Sequence, residues 1–352
     1  MNNLDKARER LSSLQVEFSD ERIQAQDKSI LNSKTDVNQL IPFKYEWAWQ
    51  KYLDGCANHW MPQEVPMQKD IQQWKGGELT DDEKHIVTTA LGFFSTADTL
   101  VANNIVLSIY ERITSPEHRQ YLLRQAFEEA IHAHAYQYCI ESLGLDQGFT
   151  FNQYREVPEM ARKMAWAAEK TNVLANKEST DSEFLDNLIA YYLVVEGIFF
   201  YTGFPSVLAL GRRNLMTGVA EQFQYILRDE SMHINFGVDT INQIIIENPH
   251  LWTTQAQQRA TDAVIEGVVL EIDFARLMLP RGVLGMNFDM AQEYIMFMAD
   301  RRLMQIGLPA QFPSAQNSLS WMSEMMDLRK EKNFFETRVT DYQVGGGLSW
   351  DD

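Results

Sequence analysis

Cysteine is scarce: two residues, Cys56 and Cys139, in a chain of 352. That excludes a disulfide framework and fits a reducing compartment such as the cytoplasm. Basic charge is also short. Lys and Arg number 31 against 49 Asp and Glu, a net charge of −18 at pH 7. Such an acidic surface repels phosphate backbones, which argues against nucleic acid as a partner. Period-two alternation closed by hairpin turns is nearly absent, so little sheet is expected, and no repeat of solenoid length is visible. Residues 1–26 are polar and carry no apolar signal region. The longest apolar run, residues 188–204, has Glu196 at its middle and Pro205 directly after it. A carboxylate there would be costly in lipid, so the run is expected to be a buried helix and not a membrane span.

Long helical patterns fill most of the chain, and an all-α fold follows. Thr80-x-x-Glu83 and Thr180-x-x-Glu183 are capping boxes, in which side chain and backbone satisfy each other's free donors. They predict helices over about residues 80–113 and from 180 through the apolar run, with a break or kink at Pro205. Pro116 suits the first position of a helix ending near Gly144. Further helices are expected over about residues 158–176, 217–248, 254–279 and 289–306. Residues 1–35 lack a long apolar face and are expected to form a loosely docked arm, with residues 36–310 as the helical domain. Residues 311–352 change character. Their end, Tyr342-Gln-Val-Gly-Gly-Gly-Leu-Ser-Trp-Asp-Asp352, cannot be a stable helix and suits a docking tail.

Two helices carry Glu-x-x-His: Glu129/His132 and Glu230/His233. Residues three apart share a helix face, so a carboxylate and an imidazole there can hold one ion. With 49 acidic residues in 352, seven histidines would carry about one acid three positions upstream by chance. Four do so, the others being Asp82/His85 and Glu247/His250. Asp82 lies in a helix's first turn, where acids are common, and Glu247/His250 spans a proline at a helix end. Two facing Glu-x-x-His helices form a two-metal site when two more carboxylates bridge the ions. Asp98 and Glu196 are the candidates, each a lone acid among apolar neighbours that needs a partner.

These residues resemble the small subunit of class I ribonucleotide reductase over nearly the whole length. The motifs are Asp98, Glu129-Ala-Ile-His132, Tyr136, Glu196 and Arg228-Asp229-Glu230-Ser-Met-His233. The resemblance implies a ferritin-like di-metal helical bundle with additional helices. It implies metal ligands Asp98, Glu129, His132, Glu196, Glu230 and His233, and a metal pair that reacts with oxygen or a reduced oxygen species. A tyrosyl radical at Tyr136 follows, inside an apolar shell that includes Phe200, Phe204 and Ile226. Trp60, in His-Trp-Met-Pro-Gln-Glu-Val65, matches the family's relay tryptophan, with Asp229 between it and His132. Tyr342 matches the tyrosine at the subunit boundary and Glu336 a tail acid near it. The implied partners are a large catalytic subunit, a second copy in a homodimer and, for some members, a flavoprotein activator. An iron pair leads among the metals, with a manganese pair or a mixed manganese–iron centre as alternatives. The stretch Phe127-Glu-Glu-Ala-Ile-His-Ala-His-Ala135 and Tyr138 look like the subgroup that stores its oxidant on the mixed centre. Tyr136, and Asp98 in place of Glu, favour the tyrosyl type. Rival readings are another di-metal oxidase on the same bundle and a ferritin-like storage protein. Neither needs Trp60, Asp229 or the glycine-tethered tail.

Overall fold

A computed structural model describes residues 44–104, 108–172 and 179–322. The expected arm and most of the expected tail, including Glu336 and Tyr342, lie outside them. Helix starts follow the local signals. Helix α1 spans Glu46–Ala57 and α2 Gln68–Gly76. Thr80 and Glu83 exchange their capping hydrogen bonds at the start of α3, Asp81–Asn104. Pro116 opens α4, Pro116–Leu143, where the Ser115 hydroxyl accepts from the His118 N–H and Gly144 closes the far end in the left-handed conformation. Helices α5, Gln147–Glu156, and α6, Pro158–Asn172, follow. The sequence pattern gave no helix for α1, α2 or α5.

The second capping box, Thr180 with Glu183, starts α7, Asp181–Ile189. The winding then widens to π type over Ala190–Glu196 and leaves the helix altogether in a turn over residues 197–202. The chain resumes as α8, Gly203–Arg212. The break therefore precedes Pro205, which sits in the first turn of α8, where its missing N–H costs nothing. Every residue from 187 to 210 is buried. No described helix is long and apolar enough to cross a membrane.

Helix α9, Thr217–Glu247, crosses the molecule and is followed by α10, Thr254–Met278, and α11, Phe288–Gln305. Among the described residues the only β pairing is an isolated bridge between Val283 and Met286. Helices α3 and α4 pack side by side, and α9 packs on α4, on α8 and on the π-wound segment. Four helical segments thus enclose one core: α3, α4, the α7–π segment and α9. The packed chain continues past residue 310. Asp300 accepts from the backbone N–H groups of Gln311 and Phe312, and Leu319 and Met322 are fully buried. Residues 311–322 thus belong to the bundle and not to the tail.

Candidate metal centre

Each of the four core segments contributes acids or histidines to one point. Asp98 comes from α3, Glu129 and His132 from α4, Glu196 from the end of the π-wound segment, and Glu230 and His233 from α9. None is more than 1% exposed. Their ligand atoms form two overlapping groups, each within 4.8 Å: Asp98, Glu129, His132 and Glu230, and then Glu129, Glu196, Glu230 and His233. Glu129 and Glu230 belong to both. The expectation that Asp98 and Glu196 would be the bridges is therefore reversed: the glutamates of the two Glu-x-x-His helices lie between the two positions, and the lone carboxylates sit at the ends. Spacing puts a carboxylate and an imidazole on one face, but only the approach of α4 to α9 decides which carboxylates are central.

The histidines are oriented by a cross-over. His132 Nε2 lies 3.0 Å from Asp229 Oδ2 on α9, and His233 Nε2 lies 2.8 Å from Glu128 Oε2 on α4. A carboxylate accepts, so each Nε2 carries a proton, and a neutral imidazole there would present its Nδ1 lone pair inward. His132 Nδ1 then faces Glu230 Oε1 at 3.2 Å, Glu129 Oε2 at 3.3 Å and Asp98 Oδ2 at 3.6 Å. His233 Nδ1 faces Glu129 Oε1 at 3.1 Å and Glu230 Oε2 at 3.3 Å. A lone pair aimed at carboxylates needs positive charge between them.

The ionisation of the cluster says the same. Burial, and then the neighbouring carboxylates Glu129 and Glu230, push the Asp98 carboxyl well above the usual range. Burial and the charge of Glu230 do likewise to Glu196. Burial pulls both histidines down, but the surrounding carboxylates outweigh it and hold His132 and His233 well above their ordinary value. Burial also opposes ionisation of Glu230, yet hydrogen bonds from His132 and His233 bring it down to about 2. In the metal-free protein, protons supply the missing positive charge. Two divalent cations would balance the four carboxylates and leave both imidazoles neutral. Oε2 of Glu196 is buried with no hydrogen-bond partner, as an unfilled ligand atom would be. The donor set of carboxylate and imidazole suits iron or manganese.

The chain matches the family described as ribonucleotide reductase, small chain, over residues 37–318. It belongs to that family. The subunit beta of ribonucleoside-diphosphate reductase from Chlamydia pneumoniae is 52% identical over 336 residues, 94% of this chain and 97% of that one. Among solved structures, an R2 subunit from Clostridium botulinum superposes with a TM-score of 0.76 at 27% identity, covering 84% of this chain and 92% of that one. A ribonucleotide reductase homodimer from Saccharomyces cerevisiae gives a TM-score of 0.69 at 24% identity, covering 89% and 91%, and supports the fold alone. The small chain is the radical-generating subunit of ribonucleoside-diphosphate reductase, its fold is a ferritin-like helical bundle, and it works with a large subunit.

The remaining residues singled out from sequence fall on two sides of the small chain's centre. Tyr136, one turn beyond His132 on α4, is fully buried, with its hydroxyl turned toward the Asp98 carboxyl. Burial raises its pKa far above 10, and the Asp98 carboxylate is the charge that presses on it most. Phe94 stacks on its ring at 5.5 Å and Phe223 meets it edge-on at 5.7 Å. Phe200 and Phe204 stand behind Phe94 at 5.2 and 5.0 Å, and Ile226 is fully buried. Tyr138 points away, its hydroxyl bonding to the Val65 carbonyl. On the other side Trp60, 4% exposed, donates Nε1–H to Asp229 Oδ2 at 2.9 Å, the same oxygen that meets His132. Asn58 also bonds to Asp229, and Tyr225 stacks on Trp60 at 5.2 Å.

Sequence reasoning missed Glu128, Gln125, Phe94 and Phe223. Gln125 donates to Glu196 Oε1 at 2.8 Å and takes a hydrogen bond from Tyr192 at 3.2 Å. Glu128 had a signal, because each motif is a pair of acids followed by x-x-His: Glu128-Glu129 and Asp229-Glu230. The two pairs set aside are elsewhere: Asp82 bonds Arg281, and Glu247 accepts from Tyr45.

Proposed function

We propose that the chain holds a dinuclear metal centre on Asp98, Glu129, His132, Glu196, Glu230 and His233, stores a radical at Tyr136, and sends the oxidising equivalent to the large subunit. The carrying observation is the pair of buried ligand groups sharing Glu129 and Glu230, with a buried phenol against Asp98 at one end. Bound there, the metal pair would supply the one-electron oxidising power won from oxygen, and iron is the preferred filling. A manganese pair, with a flavoprotein activator, and a mixed pair are the alternatives.

The protein's own residues do the rest. When the Tyr136 ring loses an electron, its phenol proton leaves toward the Asp98 carboxylate, so a neutral radical remains. Phe94, Phe200, Phe204 and Phe223 keep water and reductants from that ring. Asp229 joins His132 to Trp60 through one oxygen, which gives an electron a hydrogen-bonded route between the centre and the indole. Tyr342 and the tail to Asp352 carry that route to the large subunit, outside the described residues. Two copies assemble as a homodimer, the state named for the yeast relative.

The test is electron paramagnetic resonance of protein loaded separately with ferrous ion, manganous ion and their mixture, then exposed to air with metals quantified. A sharp tyrosyl signal that disappears in Tyr136→Phe supports the assignment and names the metal. A coupled metal signal with no tyrosyl signal under any loading moves the stored oxidant onto the metals.

A further inference from the structure

Three charged side chains outside the centre are almost wholly buried and converge on one turn: Lys163 from α6, Glu271 from α10 and Arg302 from α11, exposed by 0%, 0% and 4%. Lys163 Nζ lies 2.5 Å from Glu271 Oε2 and 3.7 and 3.9 Å above the rings of Phe93 and Phe274. It donates to the Phe199 carbonyl at 3.0 Å. Glu271 Oε1 accepts from the Thr202 N–H at 3.0 Å. Arg302 donates from Nε to the Gly197 carbonyl at 3.2 Å and from a terminal nitrogen to the Tyr201 hydroxyl at 3.0 Å. All four accepting or donating groups lie within residues 197–202, the turn that begins one residue after Glu196.

Burying an ion pair is costly, and well-packed apolar side chains would fill the same space at no such cost. The turn explains the need. Where the chain leaves helical winding, its backbone groups require partners from elsewhere. The fit is tight: a Cβ at Gly197 would overlap the Leu193 carbonyl and stand 3.0 Å from Arg302 Nε. Asp98, by contrast, projects from the regular winding of α3. Glu196 has π winding before it and the turn after it, and Gln125 donates a hydrogen bond to its carboxylate.

We propose that Lys163, Glu271 and Arg302 are positioning residues that hold the 197–202 turn in the register bringing Glu196 to His233, and so set the affinity of one cation position of the pair without touching a cation. The proposal rests on the metal-centre reading and assigns the two positions different dependences. The position built by Asp98 and His132 is independent of the clamp, and the one built by Glu196 and His233 is not.

The experiment is a manganous-ion titration of the full chain, following free Mn(II) by its resonance signal, alongside amide hydrogen exchange. In Lys163→Met/Glu271→Gln both charges go, an acceptor for Thr202 stays, and no buried charge is left unpaired. One ion is expected to bind as in the wild type and the second roughly ten- to a hundredfold more weakly. Exchange is expected to quicken in residues 197–202 and not in α3. Arg302→Met, which removes the donors to both Gly197 and Tyr201, should shift the second ion in the same direction, and Arg302→Lys, which keeps a donor, should restore it. Two ions bound as in the wild type, or both weakened equally, overturns the proposal. If the double variant does not fold, the two Arg302 variants decide by the same criteria. A wild-type chain that takes up no pair of ions overturns the metal-centre reading itself, a result distinct from failure of the clamp.

Discussion

At Tyr136 a fully buried phenol faces the carboxyl of a metal-ligand residue, Asp98. Tyr136→Phe is expected to change the stability of the metal-free protein by no more than about 1 kcal/mol by chemical denaturation. Metal uptake should be unchanged, with the tyrosyl signal gone. A persisting signal would place the radical on another residue. The acid pairs divide their work: Glu129 and Glu230 face the metal positions, while Glu128 and Asp229 turn the histidine of the opposite helix. Glu128→Ala should weaken metal binding roughly ten- to a hundredfold by equilibrium dialysis. The ligand residues were legible because two Glu-x-x-His pairs in long helices exceed chance. Gln125 was not, because its partner lies 71 residues away, and Glu128 showed only as the first acid of a pair, its partner lying 105 residues away. Protonation follows from the same burial. Asp98 and Glu196 hold protons above the usual carboxylate range, so the folded metal-free chain binds more protons than the unfolded one and loses stability as pH rises through their raised pKa values. Cations must displace those protons, so metal binding tightens as pH rises. The difference in melting temperature between loaded and metal-free protein should widen between about pH 5 and pH 8 by calorimetry. A constant difference would mean that these acids are already ionised without metal.

Among the elements, the segment from α7 to α8 departs furthest from what its sequence suggests. Residues 187–210 are buried on every side, so their pattern carries no period from which winding could be read. π winding is frequent at functional sites, and here it ends on Glu196. Helix α5 escaped notice for the opposite reason: only Thr150 and Gln153 of its ten residues are buried, and Phe149 is exposed. By contrast α3, α4 and α7 announced their starts through capping residues that form the expected bonds. At the start of α8, a Cβ on Gly203 would run into the Phe94 ring that stacks on Tyr136. Gly203→Ala should cost about 1–3 kcal/mol of stability through overpacking and shorten the lifetime of the radical signal. An unchanged lifetime at reduced stability would separate the aromatic shell from protection of the radical.

For the molecule as a whole, the family assignment makes this chain one component of a two-subunit reductase, with its active chemistry completed elsewhere. The fold class was legible from helical periodicity and the lack of strand patterns, while the edge of the packed domain was not. Residues 311–322 look like linker in sequence, yet Leu319 and Met322 fill the core. Removing residues 345–352 should abolish nucleotide reduction with the large subunit while leaving metal content and the radical signal intact. Normal turnover by that truncation would mean that the tail end does not dock the chain on the large subunit. The most direct measurement is anomalous X-ray scattering from crystals of the loaded protein at the iron and manganese edges. Two peaks about 3.5–4 Å apart are expected. Both should touch Glu129 and Glu230, one lying against Asp98 and His132 and the other against Glu196 and His233. A single peak, or two peaks bridged by Asp98 and Glu196 instead, would contradict the arrangement described here.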